Sequence, residues 1–301
     1  MTGMAFLHTF MLVMAYMHLI FLVSLITKRN DVTDVAWGMG FVVVAASFYL
    51  LLDIGTVTKV LYGMVALWGL RLTVHLYRRN KGRPEDFRYK AWREQWGRSF
   101  YWRSWLQVYV LQGFFMCIIS FPILYSPYFC ASDLSLENLP GLVIWLAGLL
   151  IESIADEQLL RFSHKKRSAG DFIQTGLWKY SRHPNYFGEI LVWWGLFLFI
   201  APCDGTWPAI LSPITITWLL RYVSGVPMLE KKYQGNASYD AYKKITSVLI
   251  PWPQKKTNTL GTVIGNDHPL PLYLSEKKGV MPAYITDTPG QMPFANNIIG
   301  L

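Results

Sequence analysis

The chain has 301 residues, of which 52% are hydrophobic and only 16% charged, and its formal net charge at pH 7 is +9. Soluble domains average roughly 25% charged residues, so the composition excludes a disordered protein, a secreted disulfide scaffold and an ordinary cytosolic enzyme. A basic excess on so few charges fits either a nucleic-acid partner or the cytosolic loops of a membrane protein.

Seven apolar segments approach or exceed the length of about 20 residues that a membrane-spanning helix needs. In chain order they are 4–26, 35–52, 58–77, 105–125, 141–160, 185–201 and 209–229. The first has no basic residue before it and no small-residue cleavage site, so we expect a retained helix and not a signal peptide. The sequence predicts an all-α polytopic membrane protein whose seven-helix domain covers residues 1–254.

The final segment, residues 255–301, differs from the rest of the chain. It is rich in proline and has no long apolar run. Such a segment lacks the apolar surface that would offset the entropy cost of ordering it. We predict a loosely structured tail.

The segments between the spans alternate in charge. Segment 78–104 holds nine basic residues against three acids, and segment 161–184 holds six, including Lys165, Lys166 and Arg167, against Asp171 alone. Segments 126–140 and 202–208 contain acids and no base. With seven spans, every basic segment falls on one side. Because cytosolic loops carry the excess of Lys and Arg, we predict an N-terminus outside, a C-terminus in the cytosol and no nucleic-acid partner.

Three cysteines cannot all pair with one another. Cys117 lies in an apolar run, whereas Cys130 and Cys203 lie in loops. We do not expect a Cys130–Cys203 bridge, and we infer no redox role.

Ionisable residues inside the spans form the first candidate site, because such residues are costly in a bilayer and mark function. They are Asp34, Arg71, His75, Glu152, Asp156, Glu157, Glu189 and Arg221. With the predicted topology, all lie in the cytosolic half of the bilayer, which indicates a pocket open to the cytosol. The alternative for any single residue is an interfacial position that is simply hydrated.

Helical spacing groups some of these residues. Trp68, Arg71 and His75 share one helical face, and Glu152 and Asp156 lie one turn apart on another. The sequence has no H-E-x-x-H or C-x-x-C motif, so we predict no metal site. It also lacks G-x-G-x-x-G and a Walker loop, so any nucleotide must bind another architecture.

The segment around residues 176–189 carries the most chemistry. Pro184 suits the first turn of a helix, which places Arg182 and His183 at a helix N-terminus that attracts anions. Asn185 and Glu189 then project from one face of that helix. This arrangement suits a phosphate-bearing cofactor with a polar head. A helix cap flanked by interfacial aromatic residues explains the same pattern equally well.

Several motifs resemble the steroid 5-alpha-reductase-like membrane proteins, and most closely their DUF1295 branch. The main one is Tyr180-Ser-Arg182-His183-Pro184-Asn185-Tyr186-Phe-Gly188-Glu189. The others are Asp34-Val-Ala-Trp37-Gly38, the basic stretch from Lys81 to Arg93, Gly225-Val-Pro-Met-Leu-Glu230 and Pro251-Trp-Pro253. Together they cover roughly residues 30–253.

The resemblance implies an enzyme that holds NADPH in the cytosolic half of the membrane. It implies that Asn185 and Glu189 bind the nicotinamide end of the cofactor. It further assigns a cofactor-binding role to Arg71, Asp156, Tyr180, Arg182 and Arg221. The position of His183 at a helix N-terminus adds that residue to the set.

The substrate-holding residues differ from those of the steroid reductases. Asp34 stands in a different motif from the family's helix-two Glu, and Trp68 lies near the expected Tyr. We take Asp34 and Trp68 as the catalytic candidates, with Asp34 as the proton donor if burial keeps it protonated. The expected reaction is hydride transfer to a conjugated carbon–carbon double bond of a lipophilic substrate that enters from the bilayer.

Two other functions remain open. Isoprenylcysteine and phospholipid methyltransferases also carry an Arg-His-Pro motif, followed by an acid and a tyrosine-rich stretch. Segments Glu230–Tyr233 and Tyr239–Tyr242 resemble these later features. The cofactor of those methyltransferases is S-adenosylmethionine. The third candidate is a lipid-binding membrane protein without catalysis. The expected location is a bacterial inner membrane or the endoplasmic reticulum, and the oligomeric state stays open.

Overall fold

The computed structural model describes residues 2–131, 133–164 and 170–255, and these residues are mostly helical with no strand among them. The predicted tail at 255–301 therefore lies outside the described residues except for Lys255, as do Lys165, Lys166 and Arg167. The helices are α1 (Thr2–Thr27), α2 (Val32–Leu51), α3 (Thr56–Asn80), α4 (Phe87–Trp96), α5 (Phe100–Ser104), α6 (Leu111–Ile119), α7 (Phe121–Phe129), α8 (Leu139–Ser163), α9 (Pro184–Ile200), α10 (Leu211–Trp218), α11 (Val226–Lys231) and α12 (Ala237–Ile245).

Six helical segments among the described residues are long and apolar enough to cross a membrane, which identifies a multi-pass membrane protein. They are Gly3–Thr27, Val32–Leu51, Thr56–Asn80, Phe87–Phe129, Leu136–Ser163 and Trp207–Lys231. The seventh predicted span corresponds to α9, a shorter apolar helix of 17 residues. Large apolar side chains such as Leu50 and Ile26 are exposed on the outer helix faces, as a lipid environment requires.

Two stretches depart from regular α-helix. A π-helical turn at Trp105–Val110 joins α5 to α6, and another at Leu219–Val223 follows α10. Extra residues in a helical turn rotate the side chains that follow, and such turns are frequent at functional sites.

The tightest helix pair is α8 with α9, and glycines allow its close approach. A Cβ added at Gly188 would lie 2.5 Å from the backbone nitrogen of Glu152, and one at Gly148 would lie 2.7 Å from the carbonyl oxygen of Gly188. The backbones of the two helices therefore touch at Glu152. This contact fixes the position of Glu152 relative to the next turns of α9.

We expect Gly188→Ala to destabilise the protein by about 1–3 kcal/mol, because the added methyl group must push α9 away from α8. Thermal unfolding of the purified protein in detergent measures this. Gly63→Ala is the matched control: it lies in the middle of α3, and nothing lies within 4 Å of its added Cβ. Equal unfolding temperatures for the two variants would contradict the close packing.

The structure joins Cys130 and Cys203 in a disulfide, so the expectation that they remain unpaired was wrong. The two residues are 73 positions apart in the sequence, but α7 and α9 both end at the same end of the bundle, and the Cα atoms are 5.3 Å apart. The start of α8 lies there too, since Asn138 donates to the carbonyl of Phe199 over 2.7 Å. Cys117 is free and buried.

Candidate active site

A cavity of about 230 Å³ lies among helices α2, α3, α8, α9 and α10. Its polar end is where α3 ends, and Arg79 and Arg88 lie there. The opposite wall is apolar and includes Ile216 and Leu219, the second of which belongs to the π-helical turn. A cavity with charged groups at one end and apolar side chains at the other suits a ligand with a polar head and a lipophilic body.

One guanidinium holds two buried carboxylates in the deep part of this site. Arg71 of α3 forms ion pairs with Glu152 and with Asp156, the latter over 2.7 Å from Nη1 to Oδ2. The carboxylates lie one turn apart on α8, as their spacing predicted, and both line the cavity. His75 stands 3.8 Å from Asp156. Arg71 therefore fixes the position of both acids.

Trp68 is fully buried behind this pair and does not contact the cavity. Its indole nitrogen donates to the Oε2 atom of Glu152 over 2.9 Å. The ring also packs edge-on against Trp193. Trp68 thus orients Glu152, and its place in the structure does not support the expected contact with substrate.

Helix α9 adds an amide and a third carboxylate to the cavity wall. Asn185 donates from Nδ2 to Oδ1 of Asp156 over 3.3 Å, while its own Oδ1 is buried and accepts no hydrogen bond from the described residues. Glu189, one turn further along α9, also lines the cavity, and the Trp37 indole donates a hydrogen bond to its carboxylate. An unpaired buried acceptor is costly. A ligand that donates a hydrogen bond to Oδ1 of Asn185 would remove that cost.

Three carboxyl groups meet at the deep end of the cavity. Glu152, Asp156 and Glu189 line it together, and among the described residues Arg71 forms ion pairs with Glu152 and Asp156. Buried carboxylates without matching cations are unfavourable. The site therefore favours a ligand group that is cationic, becomes cationic during reaction, or donates hydrogen bonds.

Asp34 lies near the polar end and is already engaged. Arg88 donates to its Oδ2 over 2.7 Å and Tyr89 donates to its Oδ1 over 2.8 Å. Arg79 stands 3.9 Å away. Both carboxylate oxygens of Asp34 are therefore occupied by donors of α4, and the geometry assigns Asp34 to holding Arg88 and Tyr89 in place.

Asp86 reinforces the same cluster by accepting from Arg88 over 2.9 Å. Burial on its own would raise the pKa of the Asp86 carboxyl, but the charge and hydrogen bonds of Arg88 outweigh that effect and hold the pKa below its usual range. Asp86 also caps α4 by accepting from the backbone N–H of Arg88. This capping and pairing hold Arg88 at the cavity wall.

Arg182 and His183 lie behind the cavity, where they fasten α9 to the end of the described chain. The Arg182 Nε atom is 3.0 Å from Glu230, and its Nη1 donates to the carbonyl of Lys243. His183 Nε2 is 3.2 Å from the same Glu230 carboxylate. Burial lowers the pKa of His183 despite that carboxylate, so the imidazole is neutral at pH 7.

Tyr180 and Arg221 also lie outside the cavity lining. Tyr180 is 42% exposed, and its carbonyl accepts from the N–H of Trp252. The guanidinium of Arg221 lies 4.9 Å from the ring of Tyr222. Of the predicted cofactor residues, Asp156, Asn185 and Glu189 line the cavity and Arg71 contacts one of them.

Tyr186, Arg79 and Arg88 line the cavity but were not predicted as site residues. Tyr186 stacks on His183 with ring centroids 5.5 Å apart, and it stands within the motif that identified its neighbours. Arg79 and Arg88 were counted only as loop charges. The sequence carries no signal for their approach to Asp34, because only the fold brings them to that residue.

The chain belongs to the family described as "Protein of unknown function (DUF1295)", whose model matches residues 20–246. The match covers the cavity residues of α2, α3, α8 and α9. The predicted family is therefore confirmed.

A curated relative is similar over part of this length. It is "Uncharacterized protein C594.04c" of Schizosaccharomyces pombe, 28% identical over 161 residues, which cover 44% of this chain and 45% of that protein. The chain thus spans less than half of that relative's length. No solved structure matches the chain.

Proposed function

We propose that the protein is a membrane reductase that uses NADPH to reduce a conjugated carbon–carbon double bond in a lipophilic substrate. The observation that carries the proposal is the unpaired Oδ1 of Asn185 beside the carboxylates Asp156 and Glu189. A carboxamide such as that of nicotinamide donates two hydrogen bonds, which suits this acceptor-rich end. The resemblance to steroid 5-alpha-reductase-like proteins points to the same cofactor.

When bound, NADPH supplies a hydride. Asn185 and Glu189 would hold its nicotinamide end, and Arg79 at the polar end would attract its phosphates. Asp156 and Glu152, fixed by Arg71, would stabilise the positive charge that develops as the hydride leaves. The apolar wall around Ile216 would exclude water and hold the lipophilic substrate.

Reduction also needs a proton at the neighbouring carbon and a donor to the substrate carbonyl. We assign Tyr186 as the proton donor. It is a phenol of the cavity wall, and its ring is held by its stack on His183. Asp34 then serves to position Arg88 and Tyr89, and Trp68 serves to position Glu152.

The topology that this function needs is seven spans with the N-terminus outside and the polar end of the cavity at the cytosol. At 17 residues, about 25 Å, α9 is at the lower limit for a span. The Cys130–Cys203 disulfide supports the orientation, because it lies at the end away from the basic segments and disulfides persist outside the cytosol.

The second candidate is a methyltransferase that uses S-adenosylmethionine. The observation in its favour is the excess of carboxylates, because a sulfonium is a permanent cation that Glu152, Asp156 and Glu189 would attract. S-adenosylmethionine, however, carries no phosphate for Arg79 at the polar end.

Calorimetry on the purified protein separates the candidates. We expect NADPH to bind, and Asn185→Leu to weaken that binding by at least about 10-fold because it removes the acceptor. Asn236→Leu is a control at an amide outside the cavity, which donates to the carbonyl of Gly170. Binding of S-adenosylmethionine but not NADPH would replace the proposal with the methyltransferase, and binding of neither by folded protein would leave a lipid binder.

A further inference from the structure

A second cavity, of about 380 Å³, lies away from the candidate active site, on the loop that follows α12. Its polar lining consists of Arg182, Lys243, Lys244, Thr246, Ser247 and Lys255. We propose that this pocket binds the phosphate of an anionic phospholipid. The proposal does not depend on the reaction at the first cavity.

The loop that forms the pocket is well defined. The N–H of Lys255 donates to the carbonyl of Ile245, and Gln254 donates to the hydroxyl of Thr246, so the two ends of the loop are joined. The N–H of Arg182 donates to the carbonyl of Ser247 over 2.8 Å, which fastens the loop to the start of α9. The pocket is therefore a preformed part of the bundle.

The charge of the pocket is positive and only partly balanced. Glu230, which does not line the pocket, pairs with Arg182 over 3.0 Å and with Lys243 over 3.2 Å. No carboxylate of the described residues stands within ion-pair distance of Lys244 or Lys255, and none lines the pocket. Two lysines and two hydroxyls facing one cavity make a binding site for a phosphate group.

The rim of the pocket indicates that this phosphate belongs to a lipid. Trp252 lines the pocket beside the basic residues and is 68% exposed, and Ile250, two positions earlier in the chain, is 61% exposed. Exposed tryptophan beside lysine is typical of the membrane–water interface, where the ring lies among headgroups. Basic pockets at the cytosolic interface recognise anionic lipid headgroups. A free phosphate or the 2′-phosphate of NADPH would have no use for this apolar rim.

The test uses the full chain in mild detergent with short-chain phosphatidylglycerol, short-chain phosphatidylcholine and inorganic phosphate as separate probes. Affinity is read from the shift in thermal unfolding. We expect tight binding of phosphatidylglycerol alone, and a loss of about 30-fold in Lys244→Gln/Lys255→Gln, since each lysine near a headgroup contributes about fivefold. Arg182 and Lys243 are left intact because they hold the fold.

The matched control is Lys81→Gln/Lys90→Gln, which removes the same charge from another exposed basic segment. An equal loss in this control would overturn the proposal in favour of general surface charge. Inorganic phosphate binding as tightly as phosphatidylglycerol would overturn it in favour of a free-anion site. A loss of the preference for NADPH over NADH in Lys244→Gln/Lys255→Gln would assign the pocket to the cofactor.

Discussion

Replacement of Arg71 by leucine is expected to abolish NADPH binding and to lower the free energy of unfolding by about 3–5 kcal/mol. The reason is that Glu152 and Asp156 are both buried and both paired with this guanidinium. Without it, two carboxylates remain uncompensated in the bundle, and Asp156 loses the cation that fixes its position beside the amide of Asn185. Thermal unfolding and calorimetry on the same preparation measure the two effects.

Matched variants separate the effect of losing the Arg71 charge from the effect of a general disruption of α3. Arg78→Leu removes a guanidinium two turns along the same helix, where the described residues provide no ion pair, and should change neither quantity appreciably. Arg71→Leu combined with Glu152→Gln and Asp156→Asn should recover stability but not NADPH binding, because the uncompensated charges are gone. Failure of the triple variant to recover stability would contradict the electrostatic explanation.

Tyr186→Phe is expected to lower turnover by about 100-fold or more while NADPH binds as in the parent protein. The substitution removes the hydroxyl that we assign as the donor and retains the ring that stacks on His183. Single-turnover kinetics with saturating NADPH measure the effect on chemistry separately from the effect on binding.

The control is Tyr62→Phe, which removes a buried phenol that donates to the carbonyl of Ile123 far from the cavity lining. It should leave turnover unchanged. Asp34→Asn provides the opposing test. If it stopped turnover with NADPH binding intact, and Tyr186→Phe did not, then Asp34 would be the donor as its sequence position first indicated.

Much of the fold follows from local features of the sequence. Apolar length predicts the spans, and Pro184 marks the first residue of α9. Helical spacing also predicts that Glu152 and Asp156 share a face. The count of seven spans stays a prediction because α9 is short enough to be marginal by length alone.

Partners across helices could not be predicted in the same way. The Arg71 pair with Glu152 and Asp156 joins residues more than 80 positions apart, and the sequence contains no signal for that distance. For the same reason, the sequence gives no indication that Asp34 has a partner, whereas in the structure it forms an ion pair with Arg88. The disulfide was missed because the approach of Cys130 to Cys203 depends on where α7 and α9 end.

We propose that a hydride passes from NADPH to a lipid within this cavity. The most direct measurement is incubation of the purified protein with NADPH deuterated at the transferring position of C4 and with a panel of conjugated enone lipids, followed by mass spectrometry of the products. We predict deuterium at one carbon of a saturated product, and none with Tyr186→Phe on the same timescale. Deuterium that stays on NADPH, together with a methyl group transferred from S-adenosylmethionine to a lipid in a parallel reaction, would contradict it.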